Sequence, residues 1–341
     1  MGSIMFKIEN IYGRNLALNN GMVLKFLNLV IELLKMNQAK VGIIGMGWVG
    51  SSIAISLLHK GVCKELMLND ARPGIAEGEA MDLNHGSSFY SSANIKAAEI
   101  EEMINCDIVV ITAGRGGKPG ETRLQLLSDN VKIAKAISEQ LSGFNGILLI
   151  VSNPVDVLTY FYQKFTGLKK EKVIGTGTLL DTARLRDIIG HELNIAPKSI
   201  HAQVIGEHGD SEVVLWSGAT IGGFALNNWE SWSTEKERTI TDKVKNAAYE
   251  IIKRKGATNH AIGLVTASLI KWILRDEQRV VTVSAITTDL NDFPEIAFSL
   301  PTLLGKDGVK KLWLPEMSLQ EKEALYQSAR VIKQAIKSVN L

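Results

Sequence analysis

Val41-Gly42-Ile43-Ile44-Gly45-Met46-Gly47-Trp48-Val49-Gly50 is the stretch on which the fold turns, because an apolar run of strand character passes directly into three glycines at G-x-G-x-x-G spacing. A segment with helical spacing, Ser51 to His59, follows at once. Glycines without side chains let a phosphate approach such a turn, and a helix N-terminus offers it N–H groups and positive partial charge. The glycines alone suit an ordinary tight strand-to-helix turn equally well. Asp70 separates the two readings. It follows the second apolar strand, Glu65 to Asn69, and lies twenty residues after Gly50, where a carboxylate meets the ribose hydroxyls of a dinucleotide. Its charge repels a 2′-phosphate and so favours NAD over NADP, with Arg72 as a partial offset. Gly45, Gly47, Gly50 and Asp70 are the candidate cofactor residues.

Outward from this unit the same rhythm repeats. Short apolar runs at 107 to 112 (DIVVIT) and 146 to 152 (GILLIVS) flank a helical stretch from Leu124 to Leu141. Strands buried on both faces and joined by helical crossovers form a parallel sheet. The expected fold class is therefore α/β, a Rossmann-type doubly wound parallel sheet followed by a mixed α+β substrate domain. Beyond Gly175 the pattern changes to longer helices mixed with strand-like pieces, His201 to Ile205 and Arg279 to Thr287. This gives boundaries of 36–175 for a cofactor domain and 176–341 for a substrate domain. Residues 1–35 form an N-terminal extension. Its segment Met22 to Leu34 is too short to span a bilayer and lacks a small-residue cleavage site, so it reads as an amphipathic packing arm or as sequence before a start at Met36.

Composition bounds the rest. A chain of 341 residues with 45% hydrophobic and 22% charged residues is globular, with length for about two domains of roughly 150 residues. A net charge of +2 without a lysine or arginine run gives no reason to expect nucleic acid or a membrane as partner. Two cysteines, Cys63 and Cys106, make neither a disulfide framework nor a four-ligand zinc cluster, so no metal is expected and the default location is the reducing cytoplasm.

More specific segments then follow in order: EGEAMDLNHG at 77 to 86, GGKPGETR at 116 to 123, VSNPVD at 151 to 156, LDTAR at 180 to 184 and IGEHGD at 205 to 210. Through these, from about Met36 to the C-terminus, the chain resembles the L-lactate/malate dehydrogenase family and lies closer to its lactate branch. The resemblance implies an NAD-dependent oxidoreductase acting on a small 2-hydroxy acid, with NAD as cofactor.

It also implies roles. Hydride transfer to or from a 2-hydroxy acid needs a proton acceptor on the hydroxyl, and imidazole serves both directions near neutrality. His208, flanked by Gly206 and Gly209, matches the family's catalytic histidine. Asp181 matches the carboxylate that fixes its tautomer, as in other histidine pairs. Arg184, three residues on and so on the same helical face, matches the arginine that clamps the substrate carboxylate with a bidentate fork. Arg123 matches the loop arginine that polarises the reacting carbonyl on closure. Asn153 matches the asparagine that contacts substrate and nicotinamide.

In this family the residue six before the loop arginine helps to choose the substrate, glutamine in typical lactate enzymes and arginine in typical malate enzymes. Here it is Gly117. Glycine leaves a second substrate carboxylate unpaired, which costs several kcal/mol on desolvation and argues against malate. Arg115, followed by a pliable glycine pair, is a candidate substitute that keeps a malate reading open. Glu207, the pair Ala247 and Ala248, and Thr258 in KGAT lean towards lactate, and the space at Gly117 admits larger, branched 2-oxo acids. A non-catalytic dinucleotide-binding protein is the remaining reading. The segment DLNDFPEIAFSLP at 289 to 301 departs from the family's usual strand turn. Arg186 and His201 match an intersubunit anion site that in several bacterial relatives takes fructose 1,6-bisphosphate. A homo-oligomer is expected, a tetramer before a dimer.

Overall fold

The apolar run around Ile43 becomes the central strand of a sheet covered on both faces. In this computed structural model residues 39–116, 122–288, 293 and 295–339 are described. The N-terminal extension, Gly117 and part of the 289–301 segment lie outside them. Among the described residues no helix is long and apolar enough to cross a membrane.

The first half alternates strand and helix: β1 (Lys40–Ile44), α1 (Trp48–Lys60), β2 (Glu65–Asn69), α2 (Ile75–His85), β3 (Asn94–Ala97), β4 (Ile108–Ile111), α3 (Arg123–Gln140), β5 (Ile147–Ile150), α4 (Val155–Thr166) and β6 (Val173–Gly175). The second half comprises α5 (Leu179–Leu193), β7 (Ile200–His201), β8 (Val204–Ile205), β9 (Val213–Val214), β10 (Thr220–Ile221), β11 (Phe224–Ala225), α6 (Thr234–Lys255), α7 (His260–Leu274), β12 (Arg279–Thr287), β13 (Ile296–Gly305), β14 (Gly308–Leu312) and α8 (Leu319–Ser338). Ala39–Leu341 gather into one compact unit.

The main sheet runs β14-β13-β12-β6-β5-β4-β1-β2-β3. Its β3-β2-β1-β4-β5-β6 part is parallel and doubly wound, as expected. The sheet then continues: β12 joins β6 antiparallel through Ser284 and Gly175, and β13 and β14 extend it. The apolar runs of β1, β4 and β5 alternate between two cores. Val41, Ile43, Ile108, Val110 and Leu149 face α1 and α7, while Ile44, Val109, Ile111, Leu148 and Ile150 face α3, α4 and α8. Each such side chain contributes about 1.5–3 kcal/mol by leaving water. A third core, around Leu185, Ile189, Ile200 and Ile240, joins α5, α6 and the small sheet β11-β10-β7.

Several details differ from the sequence reading. The stretch His201 to Ile205 is split into β7 and β8, which belong to different sheets. Helix α1 starts at Trp48, three residues before Ser51, because Gly47 serves as its N-cap. The short strands β3 and β6 lack the long apolar runs that marked the others. In the unusual 289–301 segment, Ile296 to Pro301 pair regularly with β12.

Candidate active site

At the carboxyl ends of the parallel strands, each glycine of the turn has a separate job. Gly45 has φ +104°, and a Cβ there would lie 2.6 Å from the Ala113 nitrogen, so neither conformation nor space admits a side chain. A Cβ on Gly50 would collide with the Gly45 carbonyl oxygen, which lets α1 pack close against the turn. A Cβ on Gly47 would meet nothing within 4 Å. That open side faces the start of a helix without a side-chain cap. Backbone donors beside open space suit a pyrophosphate.

Asp70 follows β2 and is tied back to the turn, accepting the Met46 N–H on Oδ2 at 2.8 Å. It also receives the Arg72 main-chain N–H and Nε on Oδ1 at 2.9 Å each, and Arg72 Nη2 on Oδ2 at 3.1 Å. Arg72 holds the carboxyl below its usual range despite partial burial, chiefly through its side-chain hydrogen bond. These four hydrogen bonds take up about the four acceptor sites of a carboxylate. A ribose at Asp70 must therefore displace Arg72, whose side chain is 63% exposed.

His208 sits between β8 and β9 in a loop pinned from several elements. Gly206 exchanges backbone hydrogen bonds with Ser299 of β13, at 2.8 and 2.9 Å. The Glu207 N–H donates to Ser328 Oγ of α8 at 2.7 Å, and the His208 N–H donates to Asp156 Oδ2 of α4 at 2.8 Å. Helix α5 is fixed to β8, the strand that leads into this loop, because Thr178 Oγ1 donates to the Val204 carbonyl at 2.6 Å and the Val204 N–H donates to Thr182 Oγ1 at 2.9 Å. This presents Asp181, in the first turn of α5, to the imidazole: its Oδ2 lies 2.6 Å from His208 Nδ1, and its Oδ1 accepts Arg184 Nη1 at 2.7 Å.

The electrostatics follow from these contacts. Burial opposes ionisation of Asp181, but His208 and then Arg184 outweigh it and lower its pKa. Burial likewise pulls the imidazole down, yet Asp181, with smaller contributions from Asp156 and Glu212, carries His208 up to about 9. Its side chain keeps 24% exposure, so the ring remains open to a small molecule.

The structure thus brings both His208 and Arg184 into direct contact with Asp181. Asn153 follows β5 at the exposed end of the sheet, its Oδ1 accepting the Val155 N–H at 3.3 Å. Thr258 is half-buried in the α6–α7 connection, one residue before Asn259, whose Nδ2 donates to Ser52 Oγ of α1 at 2.8 Å. Arg123 opens α3 after the Thr122 cap. Its side chain lies outside the described residues. Arg115 does not project freely from a pliable loop: its Nη2 and Nε hold Asp129 Oδ2 of α3 at 2.7 and 3.1 Å. Arg186 Nε donates to the Ala202 carbonyl at 3.0 Å, next to exposed His201.

Three residues escaped the sequence reading. Asn130 clasps two strand ends, accepting the Arg115 N–H and donating to the carbonyls of Arg115 and Asn153. Asp156 closes the quoted VSNPVD segment, and only the fold brings it to His208. Glu212 is buried two residues beyond IGEHGD, with one oxygen lacking a partner among the described residues. An acidic residue inside the apolar run after that motif was its one visible signal.

A glycine turn on a doubly wound sheet, a strand-end aspartate and a carboxylate-paired histidine beside an arginine define a dinucleotide-dependent dehydrogenase. Residues 39–175 match the lactate/malate dehydrogenase NAD-binding domain, and residues 178–340 match the α/β C-terminal domain of the same family. The chain belongs to the lactate/malate dehydrogenase family. It is 48% identical over 310 residues to the L-lactate dehydrogenase of Fervidobacterium nodosum, a match covering 88% of this chain and 98% of that protein. It is 44% identical to the L-lactate dehydrogenase of Kosmotoga olearia, over 88% of this chain and 96% of that one. The crystal structure of a minor L-lactate dehydrogenase from Enterococcus mundtii superposes with a TM-score of 0.87 at 39% identity, covering 89% of this chain and 99% of that one.

Proposed function

We propose that this protein is an NAD-dependent L-lactate dehydrogenase, reducing pyruvate with NADH to L-lactate and NAD and running in reverse on lactate. The observation that carries this is the His208–Asp181–Arg184 contact set, with names of the similar proteins in support. NADH, when bound along Gly45 to Asp70, supplies the hydride. Arg184 spends one of its N–H donors on Asp181 and presents its fork to the substrate carboxylate. His208, protonated at neutral pH, gives its Nε2 proton to the C2 oxygen as hydride arrives at C2. Asp181 keeps Nδ1 protonated and compensates the imidazolium. Arg123 polarises the carbonyl, and Asn153 and Thr258 orient substrate and nicotinamide.

Because glycine at position 117 brings no side chain, the proposal extends to branched 2-oxo acids as secondary substrates. The malate reading depends on Arg115, and the Asp129 ion pair works against it, since releasing that arginine forfeits two hydrogen bonds. Steady-state rates with pyruvate, a branched 2-oxo acid and oxaloacetate, each with NADH, test the reading. A higher kcat/KM for pyruvate supports it, and a preference for oxaloacetate overturns it.

The proposal extends to a cytoplasmic, glycolytic enzyme working as a homo-oligomer, a tetramer before a dimer. Arg186 Nε reaches the Ala202 carbonyl and exposed His201 precedes that residue in the chain, which supports an anion site for fructose 1,6-bisphosphate between subunits. Pyruvate saturation and sedimentation with and without the bisphosphate test this part. Unchanged curves and assembly dispose of it.

A further inference from the structure

Asp156 occupies the first turn of α4 and is almost wholly buried. One oxygen, Oδ2, accepts the His208 main-chain N–H at 2.8 Å. The other, Oδ1, has no hydrogen-bond partner among the described residues, and neither does the buried Ser284 Oγ of β12. Ser284 is near enough to favour the carboxylate form, yet the two atoms miss hydrogen-bonding geometry. A buried carboxylate with an unsatisfied oxygen is expensive, and asparagine in its place would keep an acceptor for the His208 N–H without burying charge. Retaining an acid here therefore calls for a reason in its surroundings.

Those surroundings are the proton-transfer group. The charged groups facing Asp156 are His208 and Glu207, both from the pinned loop. His208 in turn is faced by Asp181 from α5, by Asp156 from α4 and by Glu212 from its own loop. Asp181 binds the ring, whereas Asp156 binds the main chain that carries the ring.

We propose that Asp156 is a positioning residue for proton transfer, its buried carboxylate fixing the main chain of His208 and adding negative charge that favours the imidazolium over the neutral ring. This rests on His208 being the proton donor of the proposed reaction. Burial raises the Asp156 carboxyl first of all, to about 6, so that it is ionised at neutral pH and neutral in mild acid. His208 titrates well above that, so Asp156 is charged throughout the range in which the imidazole loses its proton.

The test uses the full chain and two variants, Asp156→Asn and Asp156→Ala. Three quantities are measured: kcat and KM for pyruvate across pH, NADH affinity by fluorescence, and the titration midpoint of the His208 imidazole by NMR, assigned with His208→Asn. Loss of the main-chain acceptor in Asp156→Ala should lower kcat about tenfold or more with NADH affinity kept, since small displacements of a reacting group are costly. Asparagine keeps an acceptor and removes the charge, so Asp156→Asn should recover most of that kcat below pH 7. Its His208 midpoint should nevertheless fall by about half to one pH unit, as follows from removing a nearby opposite charge. An unmoved midpoint in Asp156→Asn overturns the proposal, as does wild-type kcat in Asp156→Ala. Should the alanine variant fail to fold, the asparagine midpoint still decides. That midpoint needs no substrate, so inactivity of the wild type on pyruvate would count against the functional reading separately.

Discussion

Asp181 holds His208 Nδ1 at 2.6 Å on one carboxylate oxygen and Arg184 Nη1 at 2.7 Å on the other, so one buried acid orients both the proposed proton donor and the proposed carboxylate clamp. Replacing it should disturb both functions, whereas replacing Arg184 should disturb only one. Asp181→Asn is expected to lower kcat by about 10²–10⁴, the range assigned to positioned acid–base catalysis, because the amide favours the wrong tautomer and removes the compensating charge. Arg184→Lys should instead raise the pyruvate KM by roughly tenfold or more, since one charged hydrogen bond is worth about 1.5–3 kcal/mol. NADH affinity should be kept in both. Steady-state kinetics with fluorescence titration of NADH separates them, and a kcat-only defect in Arg184→Lys would move the clamp to another residue.

On the proposed placement of the cofactor, its choice turns on a competition at the end of β2. Arg72 supplies three of the four hydrogen bonds to Asp70, so there it would both hinder the ribose and stand ready to neutralise a 2′-phosphate. Arg72→Ala should therefore bind NADH at least as tightly as the wild type and discriminate more strongly against NADPH. Asp70→Ser should weaken the preference by removing both acceptor and repulsion. Kd values for the two cofactors across both variants decide this. A loss of NADH affinity in Arg72→Ala would show that the arginine holds the cofactor itself.

The glycines of the turn should fail in different ways. Alanine at Gly50 must push α1 away from the Gly45 carbonyl, an overpacking that typically costs about 1–3 kcal/mol and should appear as a lowered Tm without any ligand. Alanine at Gly47 meets open space, so Tm should hold while NADH binding falls where the new methyl occupies the phosphate path. Thermal unfolding and NADH titration of both variants check the contrast. Equal Tm losses would mean that Gly47 is also structural.

How much of this was legible beforehand depended on the range of the interaction. Strands β1, β2 and β12 could be read because burial on both faces leaves a local apolar signature. The Asp181–Arg184 contact could be read because three residues on a helix bring side chains together. By contrast β3 and β6 are short, and their pairing is decided by neighbours distant in sequence. Asp156 meets His208 across 52 residues. Nor does spacing show that Arg115 and Arg72 are already engaged by Asp129 and Asp70, because that depends on which side chains the fold leaves within reach.

The pH dependence follows from the raised imidazole. In the proposed reaction pyruvate reduction needs His208 protonated, so kcat/KM for pyruvate should stay level towards alkaline pH and decline through about 9. Lactate oxidation needs the neutral ring and should rise over the same interval. Stability moves with the reduction rate: a group whose folded pKa exceeds its unfolded value of 6.5 stabilises fully below 6.5, and that contribution is lost as pH rises through about 9. Glu212 acts in the same direction, its carboxyl pushed by burial and then by Asp181 to about 8, so its contribution declines as pH passes from 4.5 through about 8. Tm measured between pH 6 and pH 10 should fall for the wild type and fall less for His208→Asn, which lacks the titrating ring. Parallel declines in both proteins would assign the loss to other groups, and a pyruvate profile already declining near pH 6.5 would show that Asp181 does not hold the proton on His208.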